Sequence, residues 1–282
     1  MAYSPYLTTD QKGIYPDQTF NYYEAVPEAL IVNPLITTVA GVIEGDRPLI
    51  RVPYVKTDPT SGFVAEGAEI PDGGGVLDEV LVSSGKIALL LQQSNESRSF
   101  QSAEELISAG VSRSIMNRAD ALLLGNNPTG DDMTPKGLLH VDGITEVTTP
   151  EAGIVDAVAD AKATIGANGG DPTAIVVGYQ MDATLRKLKD TTGKGLLIDP
   201  IHGGDLTLHG LPVIVNQGME NDSILIVSAK EVVAAVGRIT LTDSDSAVFN
   251  RDSVQRRATW RIGWKPVHAN RLAKISVTSS KE

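Results

Sequence analysis

The amino-acid sequence predicts an α+β fold in which a compact α/β unit is inserted between the elements of a larger one, preceded by an extended arm and a long β loop. Three observations predict it. Two apolar strand patterns, at 49–55 and 80–91, flank a turn-rich stretch too long for a tight hairpin. A helical apolar period begins at Ser102 and continues until Gly125 stops it. Helix and strand patterns then alternate from 148 to 237, and a long two-faced strand follows at 254–265.

With 282 residues, of which 41% are hydrophobic and 21% charged, the chain can bury a real core as one large domain or two ordinary ones. The absence of Cys excludes a disulfide framework, a thiolate metal site and a cysteine nucleophile. No window approaches the ~18 apolar residues of a membrane span, and the N-terminus lacks a signal-peptide pattern, so a cytoplasm-like compartment is expected. The net charge of −11 disfavours a general nucleic-acid-coating role. It is unevenly spread: residues 238–282 hold nine Lys and Arg against four Asp and Glu, leaving fifteen against thirty-one before them.

Residues 1–33 are polar with no helical or strand period, yet they hold Tyr3, Tyr6, Tyr15, Phe20, Tyr22 and Tyr23, six of the eleven Tyr and Phe. Solvated tails are aromatic-poor, so this segment reads as an arm that packs on a neighbouring subunit. Residues 49–55 form one strand and 80–91 its return. The Gly73-Gly74-Gly75 triplet between them belongs to a flexible loop, since neither Lys-Ser/Thr nor a helix follows as a phosphate cradle requires. Ser102-Ala103-Glu104-Glu105 reads as a capping box, and Ile107, Val111, Ile115, Ala119 and Leu122 line one face of a helix of about 33 Å. Glu104, Ser108, Arg113, Asn117, Arg118 and Asp120 fall on its polar faces.

After a turn-rich break at 126–136, Pro150 and Glu151 open a second helix carrying Ile154, Val158, Ala161 and Ile165, ended by Gly166 and the 168–170 turn. A buried strand at 174–177 leads to a helix at 181–189, with Leu185 and Leu188 inward, and a polar loop at 190–195. Residues 211–215 and 223–227 are further buried-type strands. In the last strand, parity puts Val254, Ala258, Trp260, Ile262 and Trp264 on one face, interrupted by Arg256, and Gln255, Arg257, Thr259, Arg261 and Lys265 on the other. Cations in such register seek carboxylates or phosphates.

Nothing in the sequence supports catalysis, a cofactor or a metal. His140, His202, His209 and His268 are scattered, and neither a His-Glu-x-x-His pair nor a Gly-x-Ser-x-Gly elbow occurs. Gly193-Lys194-Gly195 is no phosphate loop, because Leu188 stands where the first Gly should be and Gly195 where Ser or Thr should be.

The order of elements resembles the major capsid protein of tailed phages, with its Hong Kong 97-type fold. Phe63-Val64-Ala65-Glu66-Gly67-Ala68-Glu69-Ile70-Pro71 resembles that family's aromatic-(Val)-Ala-Glu-Gly-Ala-x-x-Pro stretch in the extended loop. Lys86-Ile87-Ala88, the helix end at Ala119-Asp120-Ala121-Leu122-Leu123-Leu124-Gly125, and Pro135-Lys136-Gly137-Leu138-Leu139 are similar in the same order. So are Leu185-Arg186-Lys187-Leu188-Lys189-Asp190 with Gly193 and Leu196, then Leu208-His209-Gly210-Leu211-Pro212-Val213. Residues 249–275, with Arg256 and Arg261, resemble the family's terminal peripheral-domain strands.

The resemblance implies an N-terminal arm at 1–45, an extended β loop at 46–91, a peripheral domain at 92–147 and 238–282 with a spine helix at 102–124, and an axial domain at 148–237 whose 190–195 loop points to the five- and sixfold axes. It implies no enzyme and no cofactor. The expected partners are further copies in pentamers and hexamers, a separate scaffolding protein, a portal and a decoration protein. The shell would enclose double-stranded DNA without reading its sequence, assembling in the host bacterial cytoplasm and residing in the virion, with no membrane involved. An arm that begins almost at Met1 implies a separate scaffold or a mature chain. Members that cross-link their shells use a loop Lys, an Asn and a Glu. Here Lys56 lies in the loop, but Asp252 and Thr259 stand at the other two positions, so no isopeptide is expected. Arg257, Arg261 and Lys265 are expected to contact Asp72, Asp78 and Glu79 of adjacent chains. An encapsulin-type compartment, which shares the fold, and an α/β hydrolytic enzyme built on the middle unit are the alternatives.

Overall fold

The computed structural model describes residues 28–43, 49–67, 69–98, 101–125, 135–189, 197 and 206–278. In chain order they form β1 (Thr38–Ile43), β2 (Leu49–Thr57), β3 (Val76–Ser83), β4 (Gly85–Ser94), α1 (Asn95–Arg98) and α2 (Gln101–Leu124). Next come β5 (Thr145–Pro150), α3 (Ile154–Ala167), β6 (Ala174–Val177), α4 (Tyr179–Lys187), β7 (Thr207–Leu208), β8 (Leu211–Val215) and β9 (Ser223–Val227). The chain closes with β10 (Val232–Gly237), β11 (Thr240–Ser244), β12 (Ser253–Pro266) and β13 (Ala273–Thr278). The described residues form a mixed α+β arrangement with three sheets.

The five-stranded sheet is organised by β12, whose 14 residues are long enough to take two neighbours end to end. Along one edge its C-terminal half pairs with β10 and its N-terminal half with β11; along the other edge it pairs with β4 from Ser94 to Gly85. The period-two pattern then decides what each face buries. Ala258, Trp260, Ile262 and Trp264 join Ile87, Leu91, Val232 and Ala234 against Val111, Ile115, Ala119 and Leu123 of α2. Both indoles bury with their N–H satisfied, Trp260 on the Gly237 carbonyl and Trp264 on the Lys136 carbonyl, each at 2.8 Å.

The six-stranded sheet runs β5-β13-β9-β6-β8-β7. Alternate residues of β6 and β9 face opposite ways: Ile175, Val177, Ile224 and Ile226 meet α3 and α4, whereas Val176, Leu225 and Val227 enter the core around α2. That double burial is why these two strands read as unbroken apolar runs. The α/β unit therefore shares a core with the rest of the molecule.

The structure changes several expectations. The stretch 80–91 is two strands divided at Ser84: β3 pairs with β2 in a separate ribbon, and β4 leaves to pair with β12. Residues 28–43, assigned to the arm, are built into the body, with Leu30, Ile31 and Ile36 buried in the α2 core and β1 parallel to β10. The rest of the arm, 1–27, lies outside the described residues, as do the 190–195 loop and the side chains of the Ser102-Glu104 capping positions. The helix expected from 151 begins as a 3-10 turn at Glu151–Gly153, and that expected at 181–189 runs from Tyr179 to Lys187. β13, grouped by sequence with the larger unit, pairs with β5 and β9 in the six-stranded sheet. Asp120, expected on a solvated face of α2, is 2% exposed.

Candidate functional site

The β2–β3 ribbon is held at its base and free along its outer face. Inward residues Ile50, Val52, Tyr54, Val80 and Val82 pack on Val233 and Ala235 of β10 and on Ile43. The outward parity leaves Leu49, Val55, Leu77 and Leu81 exposed, and at the tip Phe63 and Ile70 are wholly or largely in solvent. Crossing from ribbon to sheet, the chain passes over Gly263, where a Cβ would collide with the Ser83 carbonyl.

The expected contact residues do not converge within one chain. Arg257, Arg261 and Lys265 lie along one face of β12 as parity requires, with Arg257 and Lys265 exposed. Asp78 and Glu79 are each paired across the ribbon: Lys56 Nζ donates to Asp78 at 2.9 Å, and Arg51 donates to Glu79 at 2.8 Å. Hydrogen bonding to Lys56 holds the Asp78 carboxyl below its ordinary value, and the same bond raises the Lys56 ammonium. Asp72 accepts the Gly74 N–H in a local turn. Arg256, which interrupts the apolar face of β12, forms a two-pronged pair with Asp243 of β11.

What does converge is a different set of cations. Lys86 of β4 stands directly opposite Arg261 of β12, and Arg238, just after β10, completes an open depression of about 350 Å³ whose remaining walls include Thr240, Thr259 and Ile43. The two threonine hydroxyls lie 2.6 Å apart. Sequence reading missed Lys86 and Arg238 because only the strand register brings them to Arg261.

Two further clusters were also missed, and both join elements remote in sequence. Glu231 binds His268 Nδ1 and Arg271 Nη1, each at 2.7 Å, Arg271 Nε donates to the Asn168 carbonyl, and the Tyr54 ring meets His268 edge-on at 5.2 Å. These contacts tie the ribbon to the two larger sheets. Glu220 lies 2.8 Å from His140 Nε2 and 3.4 Å from Lys274 Nζ. Burial pushes the Glu220 carboxyl up, but the His140 hydrogen bond and the His140 and Lys274 charges outweigh it and leave it below its ordinary 4.5. A carboxyl depressed on folding contributes stability above pH 4.5 that is lost as the pH falls through the depressed value. Glu220→Gln should therefore flatten the acid side of the stability profile. At neutral pH it should cost less than about 1 kcal/mol, because this carboxylate is 40% exposed, as denaturant titrations across pH will measure.

Among the described residues no group of three or more His, Asp or Glu is placed to hold a metal, and no helix is long and apolar enough to cross a membrane. Asp252 has φ 47° and accepts Asn95 Nδ2 at 2.6 Å.

Comparison with known proteins agrees with this architecture. Solved structures share the fold at low identity: Microbacterium phage Oxtober96 (TM-score 0.71, 13% identity, 92% of this chain and 93% of that one) and Mycobacterium phage Bobi (0.70, 16%, 97% of each). The capsid of a native GTA particle matches with TM-score 0.72 and 18% identity over 93% of this chain and 94% of that one. Among curated proteins nothing matches significantly. The model of the phage capsid family matches residues 25–277. The α/β hydrolase reading finds no support in these matches, and the earlier resemblance to a tailed-phage capsid subunit does. An alternating ribbon, a long helix laid on a β12-centred sheet and a mixed α/β unit, matched over that span, place this chain in the phage capsid family, whose members are structural and not enzymatic.

Proposed function

We propose that this chain is the major capsid subunit of a tailed phage and that its copies assemble through pentamers and hexamers into an icosahedral shell enclosing double-stranded DNA. The observation that carries this reading is the ribbon. A two-stranded sheet is marginal alone, and this one leaves Leu49, Val55, Leu77, Leu81, Phe63 and Ile70 in solvent. In a member of the phage capsid family, a neighbouring subunit is the natural cover for such a surface. On the same reading α2 is the spine helix, residues 148–237 with β13 form the axial domain, and the β12-centred sheet is the core of the peripheral domain. The aromatic arm and the exposed cations Arg257 and Lys265 face adjacent copies. A scaffolding protein guides assembly, a portal occupies one vertex, and decoration proteins cover the outside of the virion.

Purified protein should sediment as megadalton particles, and electron microscopy should show closed shells carrying nuclease-protected DNA when they are isolated from infected cells. Persistent low-order oligomers would overturn the reading, and shells filled with protein cargo would favour the encapsulin alternative. Boiling shells in detergent should release monomers only, because Lys56 is paired with Asp78 and the aligned Asp252 and Thr259 lack the amide and the carboxylate that isopeptide formation uses.

A further inference from the structure

We infer that the connection between β12 and β13 is a coupling device: through Glu231 it makes the seating of the β2–β3 ribbon and the closure of the turn that ends α3 one event, so that a load on the ribbon is felt in the α/β unit. The inference concerns a single chain and does not rest on the shell reading above. Glu231, just before β10, is 8% exposed. Both its carboxylate oxygens are taken: Oε2 accepts the His268 Nδ1–H and Oε1 accepts Arg271 Nη1, each at 2.7 Å. Its main-chain carbonyl is taken as well, by the Val267 N–H at 2.7 Å. By contrast, the ion pairs Arg51–Glu79 and Lys56–Asp78 stay within the ribbon.

Val267 and His268 form the ribbon end of this joint. Val267 packs on the apolar cluster under the ribbon, and the Tyr54 ring of β2 meets the His268 ring edge-on at 5.2 Å. Arg271 forms the other end. Its Nε donates to the Asn168 carbonyl at 2.8 Å, and the Asn168 side-chain amide returns a bond to the Asn270 carbonyl at 2.9 Å. The turn itself is closed by the Gly169 and Gly170 N–H groups, which donate to the Gly166 and Ile165 carbonyls at 2.9 Å each. It is set tightly under Arg271: Gly169 has φ 81°, and a Cβ at Gly170 would lie 2.7 Å from Ile165 Cγ2 and 3.0 Å from Arg271 Cβ. One carboxylate shared by two partners makes the joint cooperative. Losing either partner leaves a buried charge with half its compensation, a state more costly than the docked joint. Partial release is therefore disfavoured, and the connection has two arrangements, docked and open, that the ribbon and the turn both bias. Lys230 and Asp171 also face each other here, but at 3.8 Å and with both side chains more than three-quarters exposed the pair is screened and adds little.

The test is amide hydrogen exchange on the full chain, with every variant compared in the same assembly state. Tyr54→Leu is expected to speed exchange about fivefold or more at the Gly169 and Gly170 amides, on the far side of Glu231, as well as in residues 50–54. Reciprocally, Arg271→Lys should speed exchange in residues 50–54 and 80–82 as well as at the turn, because the coupling runs both ways. Tyr54→Phe keeps the ring and should leave the turn at the wild-type rate. In a Glu231→Gln chain, Tyr54→Leu should no longer change the turn. Acceleration confined to the mutated side of the joint is what a merely structural role gives, and it would overturn the inference. Equal acceleration in residues 111–123 of α2, meaning general loosening, overturns it too, as does a full Tyr54→Leu effect in the Glu231→Gln chain. Should Glu231→Gln fail to fold, the Tyr54→Leu, Tyr54→Phe and Arg271→Lys comparisons decide the matter by themselves.

Discussion

Replacing Asp120 with Ala is expected to lower the unfolding free energy by about 2–4 kcal/mol, more than any surface ion pair in the molecule could account for. The Asp120 carboxylate sits on α2 but serves two other segments. Its Oδ1 accepts the Leu30 N–H at 2.7 Å, and its Oδ2 accepts Asn216 Nδ2 at 2.7 Å. Leu30 is itself buried, so removing the acceptor strands a backbone donor away from water. The neighbouring position is equally close-set: a Cβ at Gly218 would lie 2.9 Å from the Ala121 backbone. Asp120→Asn should fall between wild type and Ala. An amide keeps one acceptor for Leu30, but its NH₂ then faces the Asn216 NH₂, whose own oxygen is already held by the Gly218 N–H at 2.7 Å. Chemical denaturation of the purified variants measures all three.

The same residue carries a pH signature of opposite sign to Glu220. Burial raises the Asp120 carboxyl above its ordinary 3.8, against the lowering pull of the Leu30 and Asn216 hydrogen bonds. The folded state thus binds this proton more tightly than the unfolded chain does. Its contribution to stability is full below pH 3.8 and declines as the pH rises through the raised value, after which it is constant. Asp120→Asn removes that decline, whereas Glu220→Gln removes a loss on the acid side.

The helix period, the parity of β12 and the buried runs at β6 and β9 were legible because each depends on residues close in sequence. Val111, Ile115 and Ala119 announce the α2 stripe by spacing alone, and Trp260, Ile262 and Trp264 announce the β12 face in the same way. Asp120 was not legible. α2 is covered on more than one side, by the sheet and by residues 29–31 and the loop after β8, so its buried arc is wider than an apolar stripe suggests. A carboxylate inside that arc differs from a solvated one only through Leu30 and Asn216, which are remote in the chain. Register was the other gap. Arg261 was singled out by parity, but its partners on the face, Lys86 and Arg238, follow from which residue of β4 stands opposite and where β10 ends. Asp78 and Glu79 looked available for neighbours until the ribbon register set Lys56 and Arg51 beside them.

Gly263→Ala is expected to cost about 2–4 kcal/mol and to lower shell yield with it. Gly263 stands opposite Ala235 of β10 on the face that carries the ribbon. An added Cβ would collide with the Ser83 carbonyl and sit 3.1 Å from the Ser84 Cα, both backbone atoms at the point where the chain leaves the ribbon for β4. Neither can rotate aside as a side chain would. The ribbon base must lift, and Val80 and Val82 then lose part of their cover over Val233 and Ala235. Gly62→Ala, near the ribbon tip with nothing within 4 Å of the added carbon, is the matched control and should shift stability by no more than about 0.5 kcal/mol. Thermal melts and particle sedimentation separate two effects. If Gly263→Ala lowers both, the β3–β4 crossing sets the angle at which the ribbon meets its neighbour. If it lowers the melting temperature but shells still form at full yield, the crossing stabilises the subunit alone.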